Sequence, residues 1–362
     1  MNFSRFGGRF RIVTFGESHG PAVGVVIDGV RPGLEFDLGR IRREMDRRRP
    51  GGSDVTTARV EDDAVEVLSG VFEGRTLGTP ICLVIRNRGA DPAEYKPLRD
   101  VLRPGHADFA WLRKYGIRDH RGGGRSSGRE TAARVAAGAV AKKLLAARGI
   151  RTVGFTREAG GVRAEAVDYD EIERNPMRSP DAAAAKAMRQ AVLAAKAAGD
   201  SVGGIVELHA LGVPAGLGDP VFGKLDARIA GALVSIGGVK GVEFGDGFAL
   251  ARLHGSQAND PLGPDGPTTN RAGGTLGGIS TGAPIVVRAA VKPTSSIAIE
   301  QRTVTASGAP TTIAVRGRHD PCLCPRIVPV AEAMVALVLA DALEIQEAIR
   351  GETPVRRRRR TR

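Results

Sequence analysis

Aromatic residues are scarce in this 362-residue chain, at 4% of the total. That leaves little material for stacking nucleobases and argues against a single-strand nucleic-acid binder. Cysteine is scarcer still. Cys82, Cys322 and Cys324 form an odd set without framework spacing, which argues against a disulfide-held secreted fold and for reduced thiols in the cytoplasm. Cys322 and Cys324 lack a second Cys or His pair, so no metal site is expected. The chain has no apolar run of about 18 residues and no apolar leader at its start, so no membrane span or secretory signal is expected.

Basic residues outnumber acidic ones, 53 to 40, giving a net charge of +13. Arg356–Arg362 holds six of the arginines, and setting them aside leaves +7 on the body. A terminal arginine run reads as a solvated tail. Residues 1–350 are therefore expected to be one catalytic domain and residues 351–362 a basic, disordered tail. The remaining charge suits a small polyanionic ligand better than nucleic acid. An apolar content of 42% marks a globular chain, and 49 glycines indicate many tight turns.

Strands are expected at Val23–Asp28, Ala58–Leu68, Ile81–Ile85, Thr152–Phe155, Gly203–Leu211, Pro284–Val291 and Thr311–Val315. Helices are expected from Asp37 to about Arg48, over Thr131–Arg148, Ala182–Ala198 and Leu225–Ile236, and, with an amphipathic pattern, over Val330–Ile349. The mixture lacks strict βαβα alternation, so the expected class is α+β.

Residues 121–131, RGGGRSSGRET, carry the strongest chemical signal. Three glycines allow close backbone approach, and Arg121, Arg125 and Arg129 supply positive charge. Ser127 and Glu130 have capping-box spacing for a following helix. Free N–H groups and a helix dipole at such a start favour a phosphate-bearing ligand. An arginine-decorated helix start without a ligand is the plainer alternative. His19 in Gly16–Gly20 and His106 in Arg103–Asp108 lie in polar turns, where an imidazole can donate a proton near neutral pH. A lone loop histidine is more often structural, and His209, inside a strand pattern, reads as core. Asp320 is either a carboxylate held ionised beside Arg318 and His319 or a turn-starting residue before Pro321. Lys292–Ser296 follows a strand end and is either a phosphate or flavin contact or a solvated turn. Arg47–Arg49 is either a solvated helix face or a grip that folds over an anion. The glycine loop matches neither a Walker loop nor GxGxxG, and no Ser-His-Asp elbow appears.

Taken in order, these motifs resemble the chorismate synthase family from about Phe10 to Leu343. The matching pieces are Phe15–Gly20 (FGESHG), Arg47–Pro50 (RRRP), Arg103–Asp108 (RPGHAD), Arg121–Thr131, Gly241–Gly247 (GVEFGDG), Gly273–Ile279 (GGTLGGI), Lys292–Ser296 (KPTSS) and Gly317–Pro321 (GRHDP). The resemblance implies a phospholyase of aromatic amino-acid biosynthesis. It would convert 5-enolpyruvylshikimate 3-phosphate to chorismate, the last step of the shikimate pathway, by 1,4-anti elimination with reduced FMN. It implies that His19, His106 and Asp320 are catalytic. Ser18, Arg48, Arg49 and Arg129 would bind substrate, joined there by Arg318. Arg125, Ser126, Ser127, Gly237, Gly238, Gly278, Lys292, Pro293, Thr294, Ser295, Ser296 and Arg318 would contact FMN. NADPH is a possible reductant, with Arg48 as its contact. Asp54 stands where many relatives carry an arginine and would repel a phosphorylated nicotinamide. Gly128 replaces the commoner alanine. The implied fold is a β-α-β sandwich of antiparallel sheets with helices on the outside, and the implied assembly is a cytoplasmic homotetramer.

Two other classes fit parts of the sequence. The arginine tail and charge suit a non-catalytic nucleic-acid binder. The basic pocket suits a flavin or NADPH oxidoreductase.

Overall fold

Valine-rich Ala22–Asp28 lies at the centre of the first of two five-stranded sheets. The structure, a computed structural model, describes residues 4–57, 61–88, 98–315, 317 and 319–350. In the first sheet the order is Arg5–Phe6, Arg11–Gly16, Ala22–Asp28, Ile81–Arg86, Val65–Ser69, all antiparallel. The second sheet runs Val239–Phe244, Ile285–Val291, Gly204–Leu211, Arg151–Ala159, Val162–Arg163, again antiparallel. Register pairs Val25 with Leu83 in the first and Leu208 with Val287 in the second, so buried aliphatics line up across neighbouring strands.

Seven helices are described: α1 Leu38–Arg48, α2 Asp108–Tyr115, α3 Thr131–Ala146, α4 Ala182–Ala197, α5 Leu225–Val234, the single turn α6 Gly255–Ala258, and α7 Cys324–Arg350. The starts of α1 and α4 follow from composition. Asp37 accepts a hydrogen bond from the Arg40 amide at 2.9 Å, and Asp181 accepts from Ala183 and Ala184.

The α+β sandwich matches expectation, but the position of its principal helices does not. Helix α3 packs on the first sheet, α7 packs on the second, and the two pack on each other. They form the middle layer rather than an outer one. Their composition requires it: α3 is alanine-rich and buried on nearly every face, and α7 is buried from Cys324 to Glu344. A helix apolar all round has no face to give to water. Gly138 of α3 sits against Ala333 of α7 and permits their close crossing.

Helix α7 also begins six residues before the expected Val330. Pro325 and Pro329 hide this start. Pro325 belongs to the first turn, where its missing N–H costs nothing. Pro329 leaves the carbonyl of Pro325 without a helical partner, and the Arg178 guanidinium donates to it instead. The strand expected at Thr152–Phe155 runs on to Ala159, because antiparallel pairing to Gly204–Leu211 continues through its polar second half. The strand expected over Ala58–Leu68 is confined to Val65–Ser69, with residues 58–60 outside the described set. The tail at 351–362 also lies outside it. Among the described residues no helix is long and apolar enough to cross a membrane.

Candidate active site

Strand Arg11–Gly16 ends in a turn whose shape Asn87 fixes. The Asn87 side-chain amide donates to the Glu17 and Gly20 carbonyls at 2.9 and 2.8 Å. The turn presents Ser18 and His19, both buried, with Ser18 Oγ 3.0 Å from His19 Nδ1.

Gly122 and Gly123 pass between two imidazoles. Their φ angles are +70° and +92°. A Cβ on Gly122 would overlap Cε1 of His19, and one on Gly123 would lie 2.8 Å from Cε1 of His106. Both the backbone angles and the lack of space require glycine. His19 and His106, 87 positions apart, are thereby held against neighbouring residues of one loop.

His106 is fixed from behind. Its Nδ1 is 3.0 Å from Oδ1 of Asp108, and Arg103 grips the same carboxylate at 2.8 and 3.0 Å. Burial would raise the Asp108 carboxyl, but the hydrogen bonds from His106 and Arg103 outweigh it and hold the group well below the usual carboxylate range. An ionised Asp108 accepts from Nδ1–H and leaves Nε2 for chemistry.

Asp320 approaches from the start of α7. Its Oδ1 accepts from the Thr57 amide at 3.0 Å, and its Oδ2 is 2.5 Å from Arg326. The Lys292–Ser296 segment closes this side. Thr294 Oγ1 donates to the Asp320 carbonyl at 2.8 Å, and Lys292 Nζ donates to the Gly105 carbonyl at 2.5 Å. Arg125 reaches back to Thr14 Oγ1 at 2.6 Å, which locks the glycine loop onto the first sheet.

These segments surround a cleft of about 670 Å³. His106, Arg125–Ser127, Arg129, Gly237, Gly238, Lys292–Ser295, Asp320 and Arg48 all line it. Ile236, Leu323, Ile327 and Val330 add an apolar wall beside Gly237–Gly238. A planar ring fits against such a wall, and the cations opposite suit an anionic appendage, so the donor set fits FMN. His19 and Ser18 stand directly behind Gly122, which also lines the cleft.

Several expected site residues differ from their anticipated setting. Arg48 and Arg129 both form ion pairs with Asp63, and Arg129 also pairs with Glu61. Burial pulls the Arg48 guanidinium down, and Asp63 offsets this in part. Arg48 lines the cleft, but its side chain is 1% exposed and paired with Asp63. Arg49 turns outward to Asp46 and does not line the cleft. Ser296 is buried behind the Thr294–Ser295 wall. Gly278 accepts from the Leu225 amide at the start of α5, whereas Val234 at the end of that helix lines the cleft. A 10-residue helix separates them, so Gly278 is about 15 Å from that wall. Arg318 lies outside the described residues. The Ser127–Glu130 capping box does not form: Ser127 caps a short 3₁₀ turn through the Arg129 amide, and Glu130 pairs with Arg134. His209 binds Glu207 and Tyr169 in the second sheet, away from the cleft.

Sequence reasoning missed Arg326, the partner of Asp320, because nothing local marks an arginine in a proline-containing helix turn. It also missed that Asp108 orients His106, although the H-x-D spacing in RPGHAD was a usable signal.

The chorismate synthase family model matches residues 10–343. The chain is 59% identical to a chorismate synthase of Syntrophobacter fumaroxidans, covering 94% of this chain and 97% of that protein. It is 56% identical to one of Methanocella arvoryzae, covering 95% of each. One of Chloroflexus aggregans is 57% identical, with 97% and 98% covered. A solved crystal structure of chorismate synthase superposes with a TM-score of 0.74 at 33% identity, covering 94% of this chain and 93% of that one. Sequence, fold and the assembled cleft agree: this chain belongs to the chorismate synthase family.

Proposed function

We propose that this enzyme acts as a carbon–oxygen lyase that eliminates phosphate from 5-enolpyruvylshikimate 3-phosphate to give chorismate, with reduced FMN in the cleft. The observation that supports this best is the pair of imidazoles flanking Gly122–Gly123, with Asp320 on the same cleft. The ring hydrogen to be lost is not acidified by a carbonyl, and the 1,4-anti geometry disfavours concerted loss. When bound, the reduced flavin supplies electron density that eases phosphate departure and is restored at the end, without net redox change.

The protein's own part is positioning and proton handling. His19, with Nδ1 turned to Ser18, is the imidazole that protonates the leaving phosphate. His106, held by Asp108, carries a proton for the edge of the flavin. Asp320 is the carboxylate placed to accept the ring proton. Arg125–Ser127, Gly237, Gly238 and Lys292–Ser295 hold FMN. Arg48, Arg129 and Ser18 bind the substrate's anionic groups, for which guanidinium geometry is suited. The assembly is a homotetramer of cytoplasmic catalytic domains spanning 1–350, in which Gly278 would contact the flavin of a neighbouring subunit. Asp54, which stands where many relatives carry an arginine, offers no cation to a nicotinamide phosphate, and this favours an external reductant over NADPH.

An anaerobic assay with photoreduced FMN and the enolpyruvyl substrate tests this, scoring phosphate and chorismate together. Both should appear in equal amounts. A parallel reaction with NADPH and oxidised FMN should yield neither. NADPH consumption without substrate would favour the oxidoreductase reading.

A further inference from the structure

Arg326 joins three segments that meet at the cleft. It lies in the first turn of α7 and lines the cleft. Its NH1 atom is 2.5 Å from Oδ2 of Asp320, and its Nε donates to the Arg48 carbonyl at 3.4 Å. Arg48 is the last residue of α1, so its carbonyl is one that the helix leaves without a partner. One planar guanidinium thus anchors a carboxylate and a helix end at once, a task that its fixed fork of donors suits and a lysine cannot reproduce.

The Asp320 carboxylate is left with little freedom. Thr57 holds one oxygen and Arg326 the other. Among the described residues, the charged or titratable groups beside it are Arg326 from α7, His319 next to it in the chain and the Cys322 thiol, and Arg326 pairs with it directly.

We propose that Arg326 is a positioning residue for the elimination: it holds Asp320 in place and ties that carboxylate to the end of α1 that carries Arg48. This rests on the reading of Asp320 as the proton acceptor. Without Arg326 the carboxylate loses the partner of its Oδ2 and swings away from the reacting carbon.

The test compares Arg326→Gln, Arg326→Lys, Asp320→Asn and the double variant Asp320→Asn/Arg326→Gln with photoreduced FMN under anaerobic conditions. Arg326→Gln should lower kcat by about 10²-fold, as a small misplacement can, with KM for the enolpyruvyl substrate little changed. Arg326→Lys should recover only part of kcat, because a lysine cannot hold both the carboxylate and the helix end. The double variant should be no slower than Asp320→Asn alone. A raised KM with unchanged kcat, additive with Asp320→Asn, would make Arg326 a substrate contact and overturn the proposal. Full activity in Arg326→Gln beside a dead Asp320→Asn would also overturn it, while sparing the role of Asp320. Near-normal Asp320→Asn would defeat the reading on which both depend. If Arg326→Gln does not fold, Arg326→Lys carries the decision through a kcat loss at unchanged KM.

Discussion

The Nδ1 atom of His106 lies 3.0 Å from the carboxylate of Asp108, and that carboxylate is held on its other side by Arg103. The imidazole is therefore fixed before any ligand arrives. Asp108→Asn keeps the shape but can offer its NH₂ to the ring and reverse the tautomer. It also leaves the buried Arg103 guanidinium, 3% exposed, without its counter-charge. The expected cost is about 3–5 kcal/mol of stability and a fall in kcat of about 10²-fold or more, comparable to His106→Ala and His19→Ala. Urea melts and anaerobic turnover read the two separately. Wild-type turnover in a stable Asp108→Asn protein would show that the ring needs no orienting carboxylate.

Gly122→Ala should abolish most activity by pushing the new methyl into His19, and Gly123→Ala should do the same at His106. Gly116 is the control. Its φ is +71°, close to the +70° of Gly122, but its Cβ would meet nothing within 4 Å. All three substitutions incur the left-handed backbone strain of about 1–2 kcal/mol. Only the first two should lose turnover out of proportion to their melting shift.

Glu332 stabilises the middle layer through charge. It accepts from Lys142 at 2.6 Å, from Arg47 at 2.6 and 3.0 Å and from the Gly154 amide at 2.8 Å. Burial raises its pKa, but Lys142 and Arg47 more than reverse this, and the group sits well below its ordinary value of 4.5. A depressed folded value means stability that is present above the unfolded value and is lost as pH falls below it. Urea midpoints should therefore drop on acidification below about pH 4.5. Glu332→Gln should flatten that slope while lowering stability at neutral pH by about 1.5–3 kcal/mol, because Lys142 and Arg47 each lose one charged partner and keep Glu44. An unchanged slope in the variant would assign the acid sensitivity to other carboxylates.

Glycine in a helix interior normally costs about 0.5–1 kcal/mol relative to alanine. Gly231, exposed in α5 with nothing near its missing Cβ, should follow that rule, so Gly231→Ala should raise the melting temperature. Gly138→Ala should do the opposite. Its Cβ would overlap Ala333 at the α3–α7 crossing, and overpacking there costs about 1–3 kcal/mol. Equal shifts of the same sign in calorimetry would contradict the close crossing.

Individual elements were legible from the chain in proportion to how local their causes are. The start of α1 at Asp37 and of α4 at Asp181 follows from a side chain and amides two or three residues away. The strand Ala22–Asp28 follows from an unbroken valine-rich run. The start of α7 was not legible, because the group that takes up the carbonyl freed by Pro329 is Arg178, 147 residues from Pro325. The same holds for Asp320, whose cation is Arg326 across a helix turn, and for Arg48 and Arg129, whose charge is met by Asp63.

Composition and ordered motifs were thus enough, by themselves, to indicate an α+β chain of this family. Tertiary structure alone decided which helices lie between the sheets, which arginines are already paired with carboxylates, and that the two histidines lie against adjacent glycines of one loop. The physical reason is range. Capping and periodicity act over one or two turns of chain, whereas burial, ion pairing and steric exclusion act between groups that only folding brings within a few ångströms.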